Sequence, residues 1–160
     1  MSRVSWLQHH MQSAEHTAQM STCAAGRKVG CVFVKDNRVI SSGVNGVPAG
    51  YPHPLVCVRQ QEGCKSGEGL HLCACAHAEA NGIANAARVG VCLHGSTLYV
   101  TSQPCAACAG LLANVGVKEI VYRDPYPHKL SQLITGYAQI PTLKYIEVNE
   151  TGMLDLEKHE

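Results

Sequence analysis

The hydrophobic pattern at the start of the chain predicts an amphipathic helix from about Val4 to Met20. Residues that can face a core recur at intervals of three and four positions, which is the spacing of one helical face. They are Trp6, Leu7, His10, Met11, Ala14 and Ala18.

Two runs rich in β-branched residues then predict a β-hairpin. Val29–Val34 and Val39–Val44 are separated by Lys35-Asp36-Asn37-Arg38, whose Asp-Asn pair is typical of a turn. The following stretch, from Asn45 to about Leu72, carries five glycines, three prolines and two cysteines and shows no regular pattern. A loop of that length inside a compact domain is usually functional or held by a metal ion.

The rest of the chain alternates helical and extended patterns. Alanine-rich residues 76–89 predict a helix that ends near Gly90. Pro104 is expected at the first position of another helix, which runs to about Val115 and stops at Gly116. The other predicted elements are strands over Ser96–Thr101, Lys118–Tyr122 and Leu143–Val148, a helix over Lys129–Ala138, and a polar, frayed tail from Asn149. This alternation predicts a sheet layered against helices, and 160 residues predict one domain, 1–160.

Composition and charge make several classes of partner a poor fit. The net charge is +1, so no strong field marks the chain as a binder of nucleic acid or of membrane surfaces. No apolar run approaches the roughly 18 residues that span a bilayer. Residues Met1 to Gln12 are polar and lack the core of a signal peptide. We therefore expect a cytoplasmic protein that binds neither nucleic acid nor membrane.

Nine cysteines are many for a chain of this length. Disulfides are a poor explanation without a secretion signal, because the cytosol keeps thiols reduced. Cys31 and Cys92 are expected to pack as small hydrophobic residues. Cysteines that cluster with histidine are better explained as metal ligands.

The strongest chemical signal is His77-Ala78-Glu79 followed by Pro104-Cys105-Ala106-Ala107-Cys108. Both segments fall at predicted helix starts. A three-residue step places the sulfurs of Cys105 and Cys108 on one helical face, and the positive end of a helix favours the thiolate that binds metal. With His77, these residues supply three ligands and leave a fourth tetrahedral position for water, as in catalytic zinc sites.

Glu79 is the candidate proton shuttle. It lies two residues from His77, a spacing that does not share a helical face, so we expect it beside the metal and not bound to it. Each part of the pattern has an ordinary alternative when taken alone. The cysteine pair could be a redox motif or half of a structural zinc site, His77 a satisfied polar residue, and Glu79 a solvated helix charge.

The combined pattern is the signature of zinc-dependent nucleobase deaminases, and the chain resembles the cytidine and deoxycytidylate deaminase superfamily. Within it, the chain is most similar to deoxycytidylate (dCMP) deaminases, over residues 21–137. Besides the metal motif, the resemblance is carried by Ser21-Thr22-Cys23, Val29-Gly30, Asn45-Gly46-x-Pro48-x-Gly50, Ser66-Gly67-Glu68, Asn81, residues 97–101 (TLYVT), Ala109 and Tyr126-Pro127.

The resemblance implies a three-layer α/β/α fold with a mixed sheet of about five strands. It implies zinc-dependent hydrolysis of dCMP to dUMP and ammonia, which supplies a thymidylate precursor. It also implies a homohexamer controlled by dCTP and dTTP. If dCMP is not the substrate, the alternatives within this fold are cytidine, guanine or adenosine in tRNA. The alternative that is not an enzyme is a non-catalytic zinc-binding module.

By position, the resemblance assigns further roles. Asn45 would contact the sugar, and the backbone near Ala78 would read the base. Arg27 is a candidate for the phosphate, although it could equally be a solvent-facing charge, and Tyr126 would border the pocket or serve structure only. Arg88 and Gly46 are candidates for an effector site or subunit interface; Arg88 could instead simply complement the helix dipole.

A second, structural zinc ion is also expected from the resemblance. Cys23, Cys57 and Cys73 lie near the matching positions, and His71, His53 or Cys75 could supply the fourth ligand. A tetrahedral site would hold the loop over residues 45–72 in place. Two departures from the family pattern are His53-Pro54 in this loop and Gly82, which stands where the family usually has alanine. That glycine costs about 1 kcal/mol of helix stability and would be explained by close packing.

Overall fold

One six-stranded sheet organises the chain in the computed structural model, which describes residues 3–24, 27–53, 55–65, 68–126, 128–146 and 157–158. The strands lie in the order β2-β1-β3-β4-β5-β6. They are β1 (Gly30–Lys35), β2 (Arg38–Val44), β3 (Thr97–Ser102), β4 (Glu119–Asp124), β5 (Thr142–Lys144) and β6 (Glu157–Lys158). The helices are α1 (Trp6–Ala18), α2 (Val58–Gln61), α3 (Ala78–Val89), α4 (Ala106–Val115) and α5 (Lys129–Tyr137), with a short 3₁₀ helix over Leu70–Leu72.

The sheet is mixed, as predicted. β1 pairs antiparallel with β2 and β3, while β3, β4 and β5 run parallel. Asp36 and Asn37 both adopt positive φ, 50° and 57°, which gives the tight turn of the predicted hairpin. Because β3 and β4 are parallel, the residues that follow their carboxyl ends meet at one edge of the sheet. That edge carries the site described below.

Helices cover both faces of the sheet, which confirms the predicted three-layer arrangement. On one face, α1 buries Met11 and Ala14. On the other, α3 and α4 pack over Phe33 and its neighbours. The alternation along β1 follows from the pleat, because successive side chains point to opposite faces. Val32 and Val34 therefore pack with Ala14, and Phe33 packs in the core on the α3 side.

Close backbone packing fixes α3 against the sheet. A Cβ at Gly43 of β2 would collide with the carbonyl oxygen of Ala78 and the amide nitrogen of Gly82. A Cβ at Gly82 would lie 2.6 Å from the Phe33 ring. Close packing therefore explains why this chain has glycine at position 82, where the family usually has alanine, as expected from the sequence. The two glycines bring the first turn of α3 directly over the end of β2.

Helices α3 and α4 each start two residues later than predicted. α3 begins at Ala78, with His77 as its N-cap, and ends at Gly90 in the left-handed region, as expected. The expectation that Pro104 opens α4 was wrong, because Cys105 is the N-cap and Pro104 lies outside the helix. Pro104 therefore ends the preceding extended segment instead of starting the helix.

Other expectations need correction. The loop over residues 45–72 contains α2 and the 3₁₀ helix, which the sequence pattern did not indicate. Cys31 is fully buried as predicted, but Cys92 is exposed in the connection from α3 to β3, so it is not a core residue. The last predicted strand is shorter, since β5 covers Thr142–Lys144 and residues 147–148 lie outside the described residues. The predicted frayed tail also lies outside them, except for β6. None of the described helices is long and apolar enough to cross a bilayer.

Candidate active site

Two helix N-termini meet at the carboxyl edge of the sheet and bring the predicted metal ligands together. His77 is the N-cap of α3, Cys105 is the N-cap of α4, and Cys108 lies in the first turn of α4. The Cys105 Sγ is 3.4 Å from the His77 Nδ1, and the Cys108 Sγ is 3.5 Å from the same nitrogen. All three ligand atoms lie within 4.8 Å of one another, and no other such His, Cys, Asp or Glu group occurs among the described residues.

The spacing of these atoms fits zinc. With Zn–S near 2.3 Å and Zn–N near 2.0–2.1 Å, two ligands of a tetrahedral ion lie about 3.5 Å apart. The observed distances of 3.4 and 3.5 Å match that value. Two sulfurs and one imidazole nitrogen are also the donors that zinc prefers. The residues present therefore suit a zinc ion that keeps one position open.

The two thiols are electrostatically coupled. A hydrogen bond from Cys108 lowers the pKa of the Cys105 thiol to about 3, and burial opposes this shift. The same contact, together with burial, raises the pKa of Cys108. The hydrogen bond with Cys105 also raises the pKa of His77, whereas burial and the charge of Arg59 lower it. Cys105 is thus held as a thiolate, the form that binds metal.

Glu79 lies beside the ligands without belonging to their group. The residue is only 4% exposed, and it occupies the first turn of α3. Burial raises the pKa of its carboxyl group, while its own backbone N–H and the charge of His77 oppose the shift. The raised pKa helps this carboxyl group to take up a proton, as a general acid and base must do.

A cavity of about 380 Å³ opens from the ligands and contains the predicted substrate residues. Asn45, Ala78, Arg27 and Tyr126 all line it, together with Glu79. The structure therefore brings these side chains to one space, although it does not test their assigned contacts.

Asn45 organises the wall of this cavity. Its Oδ1 accepts hydrogen bonds from Ser21 Oγ at 2.7 Å and from the Val29 backbone N–H at 2.8 Å, while its Nδ2 donates to the Arg27 carbonyl oxygen at 2.8 Å. These bonds fix the orientation of the amide. The Nδ2 group has a second hydrogen that it can offer to a ligand.

Arg27 and Tyr126 form a contact at the rim. The Arg27 guanidinium lies 5.9 Å from the centroid of the Tyr126 ring, within the range of a cation–π interaction. The Tyr126 backbone N–H donates to Gln103 Oε1 at 3.1 Å. Gln103 itself lines the cavity and was not identified from the sequence.

Arg59 and Lys65 also line the cavity and were missed by sequence analysis. Both lie in the irregular stretch over residues 45–72, which the sequence marked as functional by its length. No periodic pattern there indicates which side chains face inward. Only the fold could select them.

The candidate ligands of a second zinc ion are not assembled as predicted. No three of Cys23, Cys57, Cys73 and His71 have ligand atoms that all lie within 4.8 Å. Instead Cys75 contacts both Cys23 and Cys73, and burial together with these contacts raises the pKa of Cys75 to about 12.

The two candidate effector residues lie apart from the ligands. Arg88 is exposed in the last turn of α3. Gly46 forms an isolated bridge with Ala76, with N–O distances of 3.1 and 2.9 Å, directly before His77. A Cβ at Gly46 would collide with the hydroxyl of Thr22. Close packing next to the site is therefore sufficient to explain this glycine.

Comparison with known proteins gives consistent relatives. The family described as "Cytidine and deoxycytidylate deaminase zinc-binding region" matches residues 4–124. The deoxycytidylate deaminase of Mycobacterium phage D29 is 41% identical over 127 residues, covering 76% of this chain and 97% of that protein. ComE operon protein 2 of Bacillus subtilis is 34% identical over 161 residues, covering 100% of this chain and 80% of that protein.

A solved structure extends the likeness to the fold. The dCMP deaminase of cyanophage S-TIM5, in complex with dCMP and dUMP, is similar with a TM-score of 0.74 and 27% identity. The similarity covers 90% of this chain and 99% of that chain.

Proposed function

This chain belongs to the cytidine and deoxycytidylate deaminase family, and we propose that it hydrolyses dCMP to dUMP and ammonia with the help of zinc. The observation that carries the proposal is the meeting of His77, Cys105 and Cys108 within 4.8 Å, next to the buried carboxyl group of Glu79. A purely structural zinc site has no use for such a carboxyl group.

The protein groups have distinct roles in the proposed reaction. His77, Cys105 and Cys108 would hold the zinc ion, which when bound lowers the pKa of a water ligand towards about 7 and so supplies the nucleophile for C4 of the cytosine ring. Glu79 takes one proton from the attacking water and delivers it to the ring nitrogen N3 as the water oxygen bonds to C4. It then carries the second proton, from the new C4 hydroxyl group, to the amino group, and the C4–N bond breaks to release ammonia. The raised pKa of the Glu79 carboxyl group suits both halves of this transfer.

The choice of dCMP rests on relatives. The phage D29 protein is named a deoxycytidylate deaminase and matches almost over its full length. The cyanophage structure contains dCMP and dUMP. In this chain, Asn45, the Ala78 backbone, Arg27 and Tyr126 line the cavity where such a nucleotide would bind. We propose that Asn45 contacts the sugar through its remaining Nδ2 hydrogen and that the backbone at Ala78 reads the base.

A substrate panel tests the proposal directly. Ammonia release is measured with cytosine, deoxycytidine, cytidine, dCMP, dCTP and guanine, using zinc-loaded protein. We expect the highest kcat/KM with dCMP. A higher value with any other substrate would reassign the specificity, and full zinc occupancy without ammonia from any of them would favour a non-catalytic binding protein.

Regulation and assembly remain predictions from the family resemblance, and location remains a prediction from the composition of the chain. We expect a homohexamer that dCTP activates and dTTP inhibits, and a cytoplasmic location. Arg88 is available for an interface because it is exposed. Light scattering, with the ammonia assay repeated in the presence of each effector, measures the assembly and the regulation.

The second zinc ion also stays a prediction. It is supported by the contacts of Cys75 with Cys23 and Cys73, whereas Cys57 and His71 do not complete a group with them. Elemental analysis that finds two zinc ions per chain would support it, and one ion per chain would dismiss it.

A further inference from the structure

We propose that Arg59 binds the 5′-phosphate of the substrate and sets the preference for a nucleotide over a nucleoside. The inference rests on the proposed deaminase function. It concerns a residue in α2, within the loop over residues 45–72, whose side chain lines the same cavity as His77 and Glu79.

The guanidinium of Arg59 is held in place by backbone oxygens. Its Nε donates to the Glu68 carbonyl oxygen at 2.7 Å, and its Nη2 donates to the Lys65 carbonyl oxygen at 3.2 Å. Two such bonds fix the plane of the guanidinium before any ligand arrives. A preorganised guanidinium loses little conformational entropy on binding an anion.

The charge of Arg59 is not neutralised by a carboxylate among the described residues. The two ion pairs found among the described residues both belong to Arg123, which binds Glu15 and Asp124. The Nη1 of Arg59 has no partner among the described residues either. Carbonyl oxygens orient this cation without cancelling its charge, so its remaining donors suit a ligand that carries negative charge.

Arg27 is a weaker candidate for the dominant phosphate contact. Its guanidinium lies over the Tyr126 ring, and its charge acts on the carboxylate of Asp124, whose pKa is lowered mainly by its hydrogen bond with Arg123 and to a smaller extent by Arg27. Part of the electrostatic field of Arg27 is therefore already compensated. Arg59 forms no ion pair among the described residues, and the carboxylate of the neighbouring Glu68 accepts the Lys65 backbone N–H instead.

The charge of the cavity also matches a phosphate ester. Its described lining contains three cations, Arg27, Arg59 and Lys65, and one carboxyl group, Glu79, which is buried beside the metal ligands. A cytosine ring and a deoxyribose are neutral and do not require three cations. A phosphate monoester suits such a lining, because arginine and lysine bind its oxygens through charge-assisted hydrogen bonds.

Kinetics with a matched pair of substrates test the proposal. Arg59→Gln removes the charge but keeps a hydrogen-bond donor for the loop. Arg59→Lys keeps the charge but lacks the planar set of N–H donors that the guanidinium offers to a phosphate. We expect Arg59→Gln to lower kcat/KM for dCMP by about 10- to 100-fold, the usual value of a hydrogen bond to a charged group. Its kcat/KM for deoxycytidine should fall much less than that for dCMP, because the nucleoside lacks the phosphate, and Arg59→Lys should recover part of the dCMP activity. Arg38→Gln, at the far end of β2, is the charge-matched control.

A binding measurement covers the case of slow turnover of deoxycytidine. Calorimetry with dUMP should show a similar 10- to 100-fold weakening for Arg59→Gln at full zinc content. An equal loss for dCMP and deoxycytidine, or an unchanged KM for dCMP with an unchanged affinity for dUMP, would overturn the assignment of Arg59. If the unmodified protein released no ammonia from dCMP, the proposed function would fail instead.

Discussion

Replacement of Glu79 by glutamine isolates the proposed proton transfer. Glutamine keeps the shape of the side chain but cannot take up a proton. General acid–base catalysis contributes about 10²- to 10⁴-fold, which equals about 3–5 kcal/mol of activation free energy. Because Glu79 is only 4% exposed, bulk water has little access to replace it. We therefore expect the loss in kcat to lie near 10⁴-fold.

The assay must separate a lost proton shuttle from a lost metal. Ammonia release from dCMP gives kcat, and elemental analysis of the same sample gives the zinc content. Zinc should be retained, because Glu79 is not a member of the ligand group formed by His77, Cys105 and Cys108. Glu119→Gln is the control, since Glu119 begins β4 at the opposite end of the sheet from the site.

Two results would refute this reasoning. A zinc-loaded Glu79→Gln protein that kept a substantial part of its turnover would show that another group moves the proton. A variant that lost zinc as well as activity would show that Glu79 supports the metal, so that its kinetic effect could not be assigned to acid–base catalysis.

Three further perturbations follow from the packing and the site. Gly82→Ala should lower the free energy of unfolding by about 1–2 kcal/mol, because the cost of overpacking exceeds the gain in helix propensity. Gly110→Ala, whose Cβ would meet nothing within 4 Å, should raise it by about 0.5–1 kcal/mol. Urea unfolding of the two variants measures both changes. His10→Phe should stabilise the protein by about 1 kcal/mol at pH 7, since both ring nitrogens of this buried histidine lack hydrogen-bond partners in the described structure. Burial, and then the charge of His9, lower the pKa of His10 in the folded protein. As the pH falls through about 6.5, the unfolded chain therefore binds more protons than the folded protein, and the unmodified protein loses stability. Unfolding measured at pH 5 and pH 7 should show that the stability advantage of His10→Phe is larger at pH 5. Cys105→Ala should lose the catalytic zinc and melt at a lower temperature, and Cys92→Ala should do neither; retained zinc in the first variant would contradict the ligand assignment.

The candidate metal site was predictable because each of its two motifs is short and precedes a strongly patterned helix. His77 and Cys105 each precede an alanine-rich helix that ends at a glycine, so both helix starts could be located within a few residues. The spacing of Cys105 and Cys108 then required both sulfurs to share a face. The sequence pattern did not predict which strands are neighbours in the sheet. The parallel pairing of β3 with β4 depends on long-range contacts, which a local pattern does not show.

The cavity wall was not predictable in the same way. Arg59 lies in an irregular stretch that has no hydrophobic period, so nothing in the sequence showed that its side chain faces the metal ligands. Asn45 was selected for a ligand contact, yet three of its hydrogen-bonding positions serve the backbone and Ser21. The prediction that Cys92 is buried was wrong for a similar reason, because the burial of a cysteine in a connecting segment depends on how that segment packs.

The N-caps of α3 and α4 show how structure and chemistry compete at this site. In α1, the side chain of Ser5 accepts a hydrogen bond from the Gln8 N–H and caps the helix, a contact worth about 0.5–2 kcal/mol. His77 and Cys105 occupy the corresponding positions in α3 and α4 but make no side-chain cap. Their extended backbone directs the side chains towards each other, so both helices forgo a stabilising contact in order to present ligands. The uncapped, positive helix ends favour a thiolate at Cys105 and leave first-turn N–H groups for a substrate, which is why the metal ligands and the proposed base-reading backbone at Ala78 lie on the same two turns.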